Sequence, residues 1–314
     1  MRADGHAEKI MPTLRHAILG VGGIGGLIGA SLARIGDPVT AVVRREGLAT
    51  YPEQLRLESP FGNFSVPVGR SAEVPPVDVL WIAVKATQLP DSLAAVTHPE
   101  SVKAVVPLLN GITHLDLLRN KFGHDKVIAA TIAAESERVA PGYIIHRSPF
   151  ARLSVSSAGR ALLAPTLDQF QKLGFECRFV DDEATLMWSK IVFLAPIALA
   201  TTAFNQPVGG IMSDPERKAE WQACVRETCA VAQAEGAKVD ADAVIAGMSK
   251  MPYDMRSSMQ KDVEQGNRPE LDAIAGPIIR SGDRLGIEIT ATKRLLSAVA
   301  ARVLAWPPGR IGLT

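Results

Sequence analysis

The sequence predicts the α/β fold class, with a doubly wound parallel sheet in its N-terminal part and an all-helical domain in its C-terminal part. Three observations predict it. A glycine-rich segment containing Gly20, Gly22 and Gly25 joins an apolar strand-like run to a helix-like one. Further apolar runs follow at spacings that leave room for crossover helices, as a parallel sheet requires. Beyond Asp181 the apolar residues recur at helical spacing almost to the end of the chain.

Residues 16–43 read as one βαβ unit: the strand HAILG, the glycine turn, the helix LIGASLARIG and the strand VTAVV. The runs 79–84, 104–109 and 127–134 continue the same sheet. Residues 55–68, interrupted by proline and glycine, read as short strands or an irregular excursion. Two short strands at 143–146 and 153–156, a helix at 162–173 and a strand at 177–180 close this part. The expected organisation is a disordered tail over 1–13, a dinucleotide-binding domain over 14–181 and a helical substrate and catalytic domain over 182–314. The helical segments are punctuated by Pro207, Pro215, Gly236, Pro252, Pro269, Gly286 and Pro307.

At 314 residues the chain exceeds the length at which one hydrophobic core stops growing, and a cleft between two domains is the natural ligand site. A formal charge of +1, with Lys and Arg dispersed, lacks the basic footprint that nucleic acid requires. Cys177, Cys224 and Cys229 form neither a CxxC pair nor a His-flanked cluster, which fits reduced, buried thiols in cytoplasm and no metal site. No signal-peptide core opens the chain and no run of 18 apolar residues follows, so no membrane partner is expected.

Gly20, Gly22 and Gly25 form G-x-G-x-x-G at a strand-to-helix junction, which makes the expected sheet Rossmann-type. Gly20 permits the tight turn, Gly22 admits a pyrophosphate to the backbone, and Gly25 lets helix and strand pack closely. The free amides at the helix start, including those of Gly23 and Ile24, face the phosphates. After the second strand stand Arg44 and Arg45 instead of an acidic residue, and arginine favours the 2′-phosphate of NADP. Lys85 and Asn110 follow the next two strands, where ribose or nicotinamide comes within reach.

In the helical part, Lys190 opens a long apolar stretch, a position where lysines commonly snorkel to the surface. Glu270 follows Pro269 at a helix start, where the dipole stabilises a carboxylate. With the glycine loop, the set Arg44, Val84-Lys85-Ala86, Asn110-Gly111, Trp188-x-Lys190, Thr201, Asn205, Pro207, Gly209, Ser257-Ser258-Met259 with Asp262, and Glu270-x-Asp272 resembles the ketopantoate reductase (2-dehydropantoate 2-reductase) family from Leu14 to Val303. The resemblance implies that Lys190 protonates or polarises the substrate carbonyl oxygen, that Glu270 is its acidic partner, and that Ser258 and Asn110 contact substrate, Asn110 also lying near the nicotinamide. It implies NADPH-dependent reduction of a 2-oxo acid to a 2-hydroxy acid, by default 2-dehydropantoate to pantoate on the way to pantothenate and coenzyme A. The oligomeric state stays open, a homodimer being one candidate.

The sequence departs from the family at the substrate-binding positions four and eight residues after the lysine, where ketopantoate-reducing members carry asparagines. Leu194 and Ala198 stand there, on the face of a helix that also carries Lys190. Pro196 between them is expected to kink or break that helix. Thr201, Thr202 and Asn205 are the expected sources of compensating polarity. The alternatives are a reductase of a less polar 2-oxo acid or a catalytically silent NADP-binding regulator.

Overall fold

The computed structural model describes residues 13–305. The tail expected over 1–13 lies, except for Thr13, outside the described residues, as does the end of the helical part beyond Ala305. The chain begins with β1 (His16–Leu19), α1 (Gly23–Arg34) and β2 (Val39–Val42), continues through β3 (Gln54–Glu58), β4 (Phe64–Pro67), β5 (Gly69–Ser71) and β6 (Val77–Ile82), and reaches α2 (Leu89–Ser92), β7 (Val102–Pro107) and α3 (His114–Phe122). Five of these strands form a parallel sheet in the order β5-β2-β1-β6-β7. All six residues of β6 are buried, as expected of a strand covered on both faces. The order reverses direction beside β1, which sets the glycine turn at the carboxyl edge where such sheets take ligands.

The excursion at 55–68 is a hairpin, β3 against β4. It is completed by β9 (Ser136–Ala140) and β10 (Tyr143–His146) as a second sheet, β4-β3-β10-β9, packed on α1. The packing is close: side chains at Gly26 and Gly29 would run into Ile144 and Leu55. A third sheet joins β8 (Ala130–Ala133), β11 (Arg152–Ser156) and β12 (Glu176–Val180), with α4 (Arg160–Lys172) beside it.

The run 127–134 therefore does not extend the parallel sheet as its sequence suggests. Val127 makes one parallel bridge to Val105, and β8 then pairs antiparallel with β11. Its alanines made the segment read as continuously apolar, whereas the strand alternates between buried and accessible positions, the pattern of a sheet with one solvated face.

The rest is helical: α5 (Glu183–Phe204), α6 (Val208–Met212), α7 (Pro215–Ala234), α8 (Ala241–Met248), α9 (Ser258–Glu264), α10 (Leu271–Ile274), α11 (Gly276–Leu285) and α12 (Thr290–Leu304). α5 is the axis of this part. It is capped by Asp182, whose carboxylate accepts from Thr185 N, and it packs on α7, α12 and α9. In length and composition it could cross a membrane, but 67% of its most apolar window is buried in the protein, as befits a core helix. Leu186 and Met187 in its first turns enter the core beneath the parallel sheet, while residues from Trp188 onward build the helical core.

The break expected at Pro196 does not occur, since α5 runs unbroken from Glu183 to Phe204. Pro196 and its neighbours from Ala195 to Ala200 are all buried, so packing around them holds the helix despite a lost backbone bond and ring clash worth about 3 kcal/mol.

Candidate active site

The glycine turn is built by exclusion. Gly20 adopts φ +93°, and a Cβ there would stand 2.7 Å from Val84 N. A Cβ on Gly25 would fall on the Gly20 carbonyl, and one on Gly23 on the carbonyl of Ser136, whose hydroxyl donates to Gly23 O at 2.9 Å. Gly22 is different, because nothing lies within 4 Å of the place a Cβ would occupy. No side chain among the described residues caps α1, and its first helical bond runs from Gly26 N to Gly22 O, so the amides of Gly23, Ile24 and Gly25 remain outside the helical ladder. Open space at Gly22 beside these amides fits the pyrophosphate of a dinucleotide.

The two arginines after β2 differ. Arg45 donates to Glu73 Oε1 at 3.1 Å, whereas Arg44 is exposed and forms no ion pair among the described residues. Lys85, after β6, donates to both carboxylate oxygens of Asp262 on α9, at 3.1 and 3.2 Å. Lys261 of α9 meets Glu135 at 2.9 Å. These two ion pairs draw α9 down onto the carboxyl edge of the sheets.

Glu270 closes the same gap from the start of α10. Its Oε1 accepts from Ala86 N at 2.7 Å and its Oε2 from Asn110 Nδ2 at 3.1 Å, so one carboxylate spans the ends of β6 and β7. Asn110 is held there because Gly111, at φ +91°, leaves space for the Ala273 carbonyl that a side chain would fill. Lys190 is partly buried on α5. Burial among apolar groups pushes its ammonium down to about 8, with the Glu270 carboxylate pulling the other way. The structure thus brings Lys190, Glu270 and Asn110 together.

The remaining predicted residues are placed less uniformly. Ser258 is exposed in the first turn of α9, four residues before Asp262 on the same helix face. Its buried neighbour Ser257 caps α9 and bonds Thr201 Oγ1 at 2.7 Å, while Thr201 donates to Ile197 O at 2.8 Å. Asn205 is exposed and ends α5 in the left-handed conformation at φ 53°. Leu194 is partly buried against the helical core, and Ala198 lies within it without exposed surface.

Two clefts of about 480 and 360 Å³ run along this junction. The larger is lined by Ala86, Thr87, Asn110, His114 and Arg268 among others, the smaller by Thr113, Met187, Trp188, Arg119 and Glu183. His114 was missed in the sequence. It follows Asn110-Gly111 as the first residue of α3, is only 5% exposed, and neither ring nitrogen has a hydrogen-bond partner among the described residues. Burial and the nearby charge of Lys190 push it down to about 4. The only sequence signal was its place just past a polar strand end, and a lone histidine there reads as ordinary core. Burial disfavours the thiolate at all three cysteines, pushing Cys177 and Cys224 up to about 12 and Cys229 up to about 11.

A parallel sheet with this glycine turn, closed by a helical part that brings a lysine and a glutamate to the ends of β6 and β7, defines an NAD(P)-dependent oxidoreductase. Residues 16–158 match the sequence model of ketopantoate reductase PanE/ApbA, and residues 183–303 that of the ketopantoate reductase PanE/ApbA C terminal. The chain belongs to the ketopantoate reductase family. A 2-dehydropantoate 2-reductase of Caulobacter vibrioides is 30% identical over 92% of this chain and 99% of its own. The crystal structure of a PanE/ApbA family ketopantoate reductase from Ralstonia eutropha superposes with a TM-score of 0.80 at 27% identity, covering 92% of this chain and 98% of that one. The fold alone is shared with D-mandelate dehydrogenase, solved with NADH and anilino(oxo)acetate, at a TM-score of 0.78, 21% identity and coverage of 93% and 98%.

Proposed function

We propose that this chain reduces a 2-oxo acid to the 2-hydroxy acid with NADPH. The observation that carries the reading is the Glu270 carboxylate, anchored to the ends of β6 and β7 by Ala86 N and Asn110, with the partly buried Lys190 within reach of its charge. A bound nicotinamide supplies the hydride. Gly22 and the amides of Gly23, Ile24 and Gly25 hold its pyrophosphate, Arg44 its 2′-phosphate, and Lys85 and Asn110 the parts nearer the reacting ring. Lys190 stabilises the charge that develops on the carbonyl oxygen and delivers the proton, which its lowered affinity makes easier near neutral pH. The Glu270 carboxylate favours the charged ammonium, and Ser258 on α9 donates to the substrate carboxylate.

By family default the substrate is 2-dehydropantoate. A less polar 2-oxo acid is the second reading, favoured by a specific observation. Leu194 and Ala198 offer no amides and Thr201 is already bonded to Ile197 O and Ser257, which leaves the Asn205 amide and the buried Thr202 hydroxyl, neither bonded among the described residues, as the groups able to compensate. A substrate hydroxyl buried there without a partner costs about 1–3 kcal/mol.

The test measures NADPH oxidation by the purified protein with 2-dehydropantoate, 2-oxoisovalerate and longer branched 2-oxo acids, in wild type and Lys190→Ala. Turnover that falls about 10²–10⁴-fold in the variant supports the reading. NADPH binding with no turnover on any 2-oxo acid overturns it in favour of a silent regulator.

A further inference from the structure

A buried imidazole with neither nitrogen satisfied is a liability to the fold, because water has been removed and nothing replaces its hydrogen bonds. His114 is such a residue among the described ones, at 5% exposure. Filling its place with an apolar side chain of similar size would relieve the fold, so its presence calls for a use in the working protein.

Its neighbourhood supplies that use. Thr113, the preceding residue, lines one cleft with Met187, which stands three positions before Lys190 on α5. His114 itself lines the other cleft with Asn110, whose amide holds Glu270. Lys190 is close enough for its charge to oppose protonation of His114. The ammonium has three protons to donate and no hydrogen bond among the described residues, while both oxygens of Glu270 are engaged by Ala86 N and Asn110. A partly buried cation with donors to spare and a buried neutral acceptor without a partner among the described residues therefore share one junction. Glu270 is the charged group that acts on Lys190 there, and Lys190 in turn acts on His114.

We infer that His114 is a positioning residue for Lys190, its neutral ring accepting a hydrogen bond from the lysine ammonium, directly or through one water, and aiming the ammonium at the substrate carbonyl. His114 neither takes up nor delivers the transferred proton. Being neutral, it stabilises the charged lysine without competing for its proton, whereas a protonated ring would repel it. The inference rests on Lys190 being the general acid.

The test compares wild type with His114→Leu, which removes the acceptor, His114→Gln, which keeps one, and Lys190→Ala as a separate control. If the Leu chain does not fold, His114→Phe takes its place. The readouts are kcat, KM, NADPH binding by fluorescence, and the alkaline limb of the pH profile that reports Lys190. The expected result for His114→Leu is a fall in kcat of about 10- to 100-fold. Its alkaline limb moves to lower pH, NADPH binding is unchanged, and thermal stability is equal or higher. His114→Gln stays within about 5-fold of wild type, since it retains the charge-assisted bond. Unchanged kcat in His114→Leu, or a loss of kcat with the alkaline limb unmoved, overturns the inference. If Lys190→Ala itself retains full turnover, it is the general-acid role that fails; if Lys190→Ala is inactive and His114→Leu is not, only the positioning role fails.

Discussion

Replacing Lys190 by methionine should make the protein more stable while removing its activity. The lysine titrates near 8 in the folded chain against 10.5 for an ordinary lysine. Below pH 8 folded and unfolded chains both hold the proton, and the folded state bears the full cost of an ammonium placed among apolar groups. Between 8 and 10.5 the unfolded chain still binds the proton that the folded chain has released, so stability rises with pH until the cost disappears. For these two values the cost is about 3 kcal/mol at pH 7 and about 2 kcal/mol at pH 9. Wild type alone would not reveal this cleanly. Cys177, Cys224 and Cys229 are pushed up to about 12, 12 and 11, so they lose stability as alkali ionises them in the unfolded chain first. These contributions are common to both proteins and cancel in the difference. Urea unfolding of wild type and Lys190→Met at pH 7 and pH 9 is the assay. Methionine should raise the unfolding free energy by about 2–3 kcal/mol at pH 7, the gap should narrow by about 1 kcal/mol at pH 9, and kcat should fall about 10²–10⁴-fold. A variant no more stable than wild type, or a gap that is the same at both pH values, would refute the claim that burial tunes this lysine.

Arg44→Ala should erase most of a preference for NADPH over NADH, about 10- to 100-fold in kcat/KM, because a charge-assisted contact to the 2′-phosphate is lost. Arg45→Ala, which breaks only the exposed pair with Glu73, should change it less than 3-fold; equal effects in steady-state kinetics would contradict the assignment. Gly22→Ala should fold normally and weaken dinucleotide binding by titration, since only open space surrounds it, whereas Gly25→Ala should unfold at markedly lower denaturant because its Cβ meets the Gly20 carbonyl. Leu194→Asn should improve kcat/KM for 2-dehydropantoate relative to 2-oxoisovalerate by about 5- to 100-fold if a substrate hydroxyl lies unpartnered there, and no change would favour the family's default substrate. Ala198→Asn is the poorer probe, because Ala198 has no exposed surface and a larger side chain overpacks the helical core by about 1–3 kcal/mol.

Local chemistry made much of this protein legible from its residues alone. The parallel sheet announced itself through runs such as Val77–Ile82, buried on both faces, and the glycine turn through spacing that only one backbone path can use. Glu270 and Asn110 were legible as candidates because one stands at a helix start and the other follows a strand end, whereas Lys190, inside α5, became a candidate only through the resemblance to the family. The antiparallel pairing of β8 was not, since alanines carry little information about which sheet a strand joins. The continuity of α5 through Pro196 was not either, because the local cost of proline is set against packing by residues far away in sequence.

Sequence by itself thus determined what is written in neighbouring residues: the fold class, the dinucleotide turn, the family, and the loss of two amides at Leu194 and Ala198. Only the tertiary structure decided which charges meet. Glu270 reaches Ala86 and Asn110 across 184 and 160 residues, Lys85 reaches Asp262 across 177, and Arg45 is occupied by Glu73 while Arg44 is not. It also decided that His114 is buried, without a partner among the described residues and within reach of the Lys190 charge. Burial and charge proximity are properties of the assembled fold, in which distant segments exclude water from one another, and no window along the chain contains them.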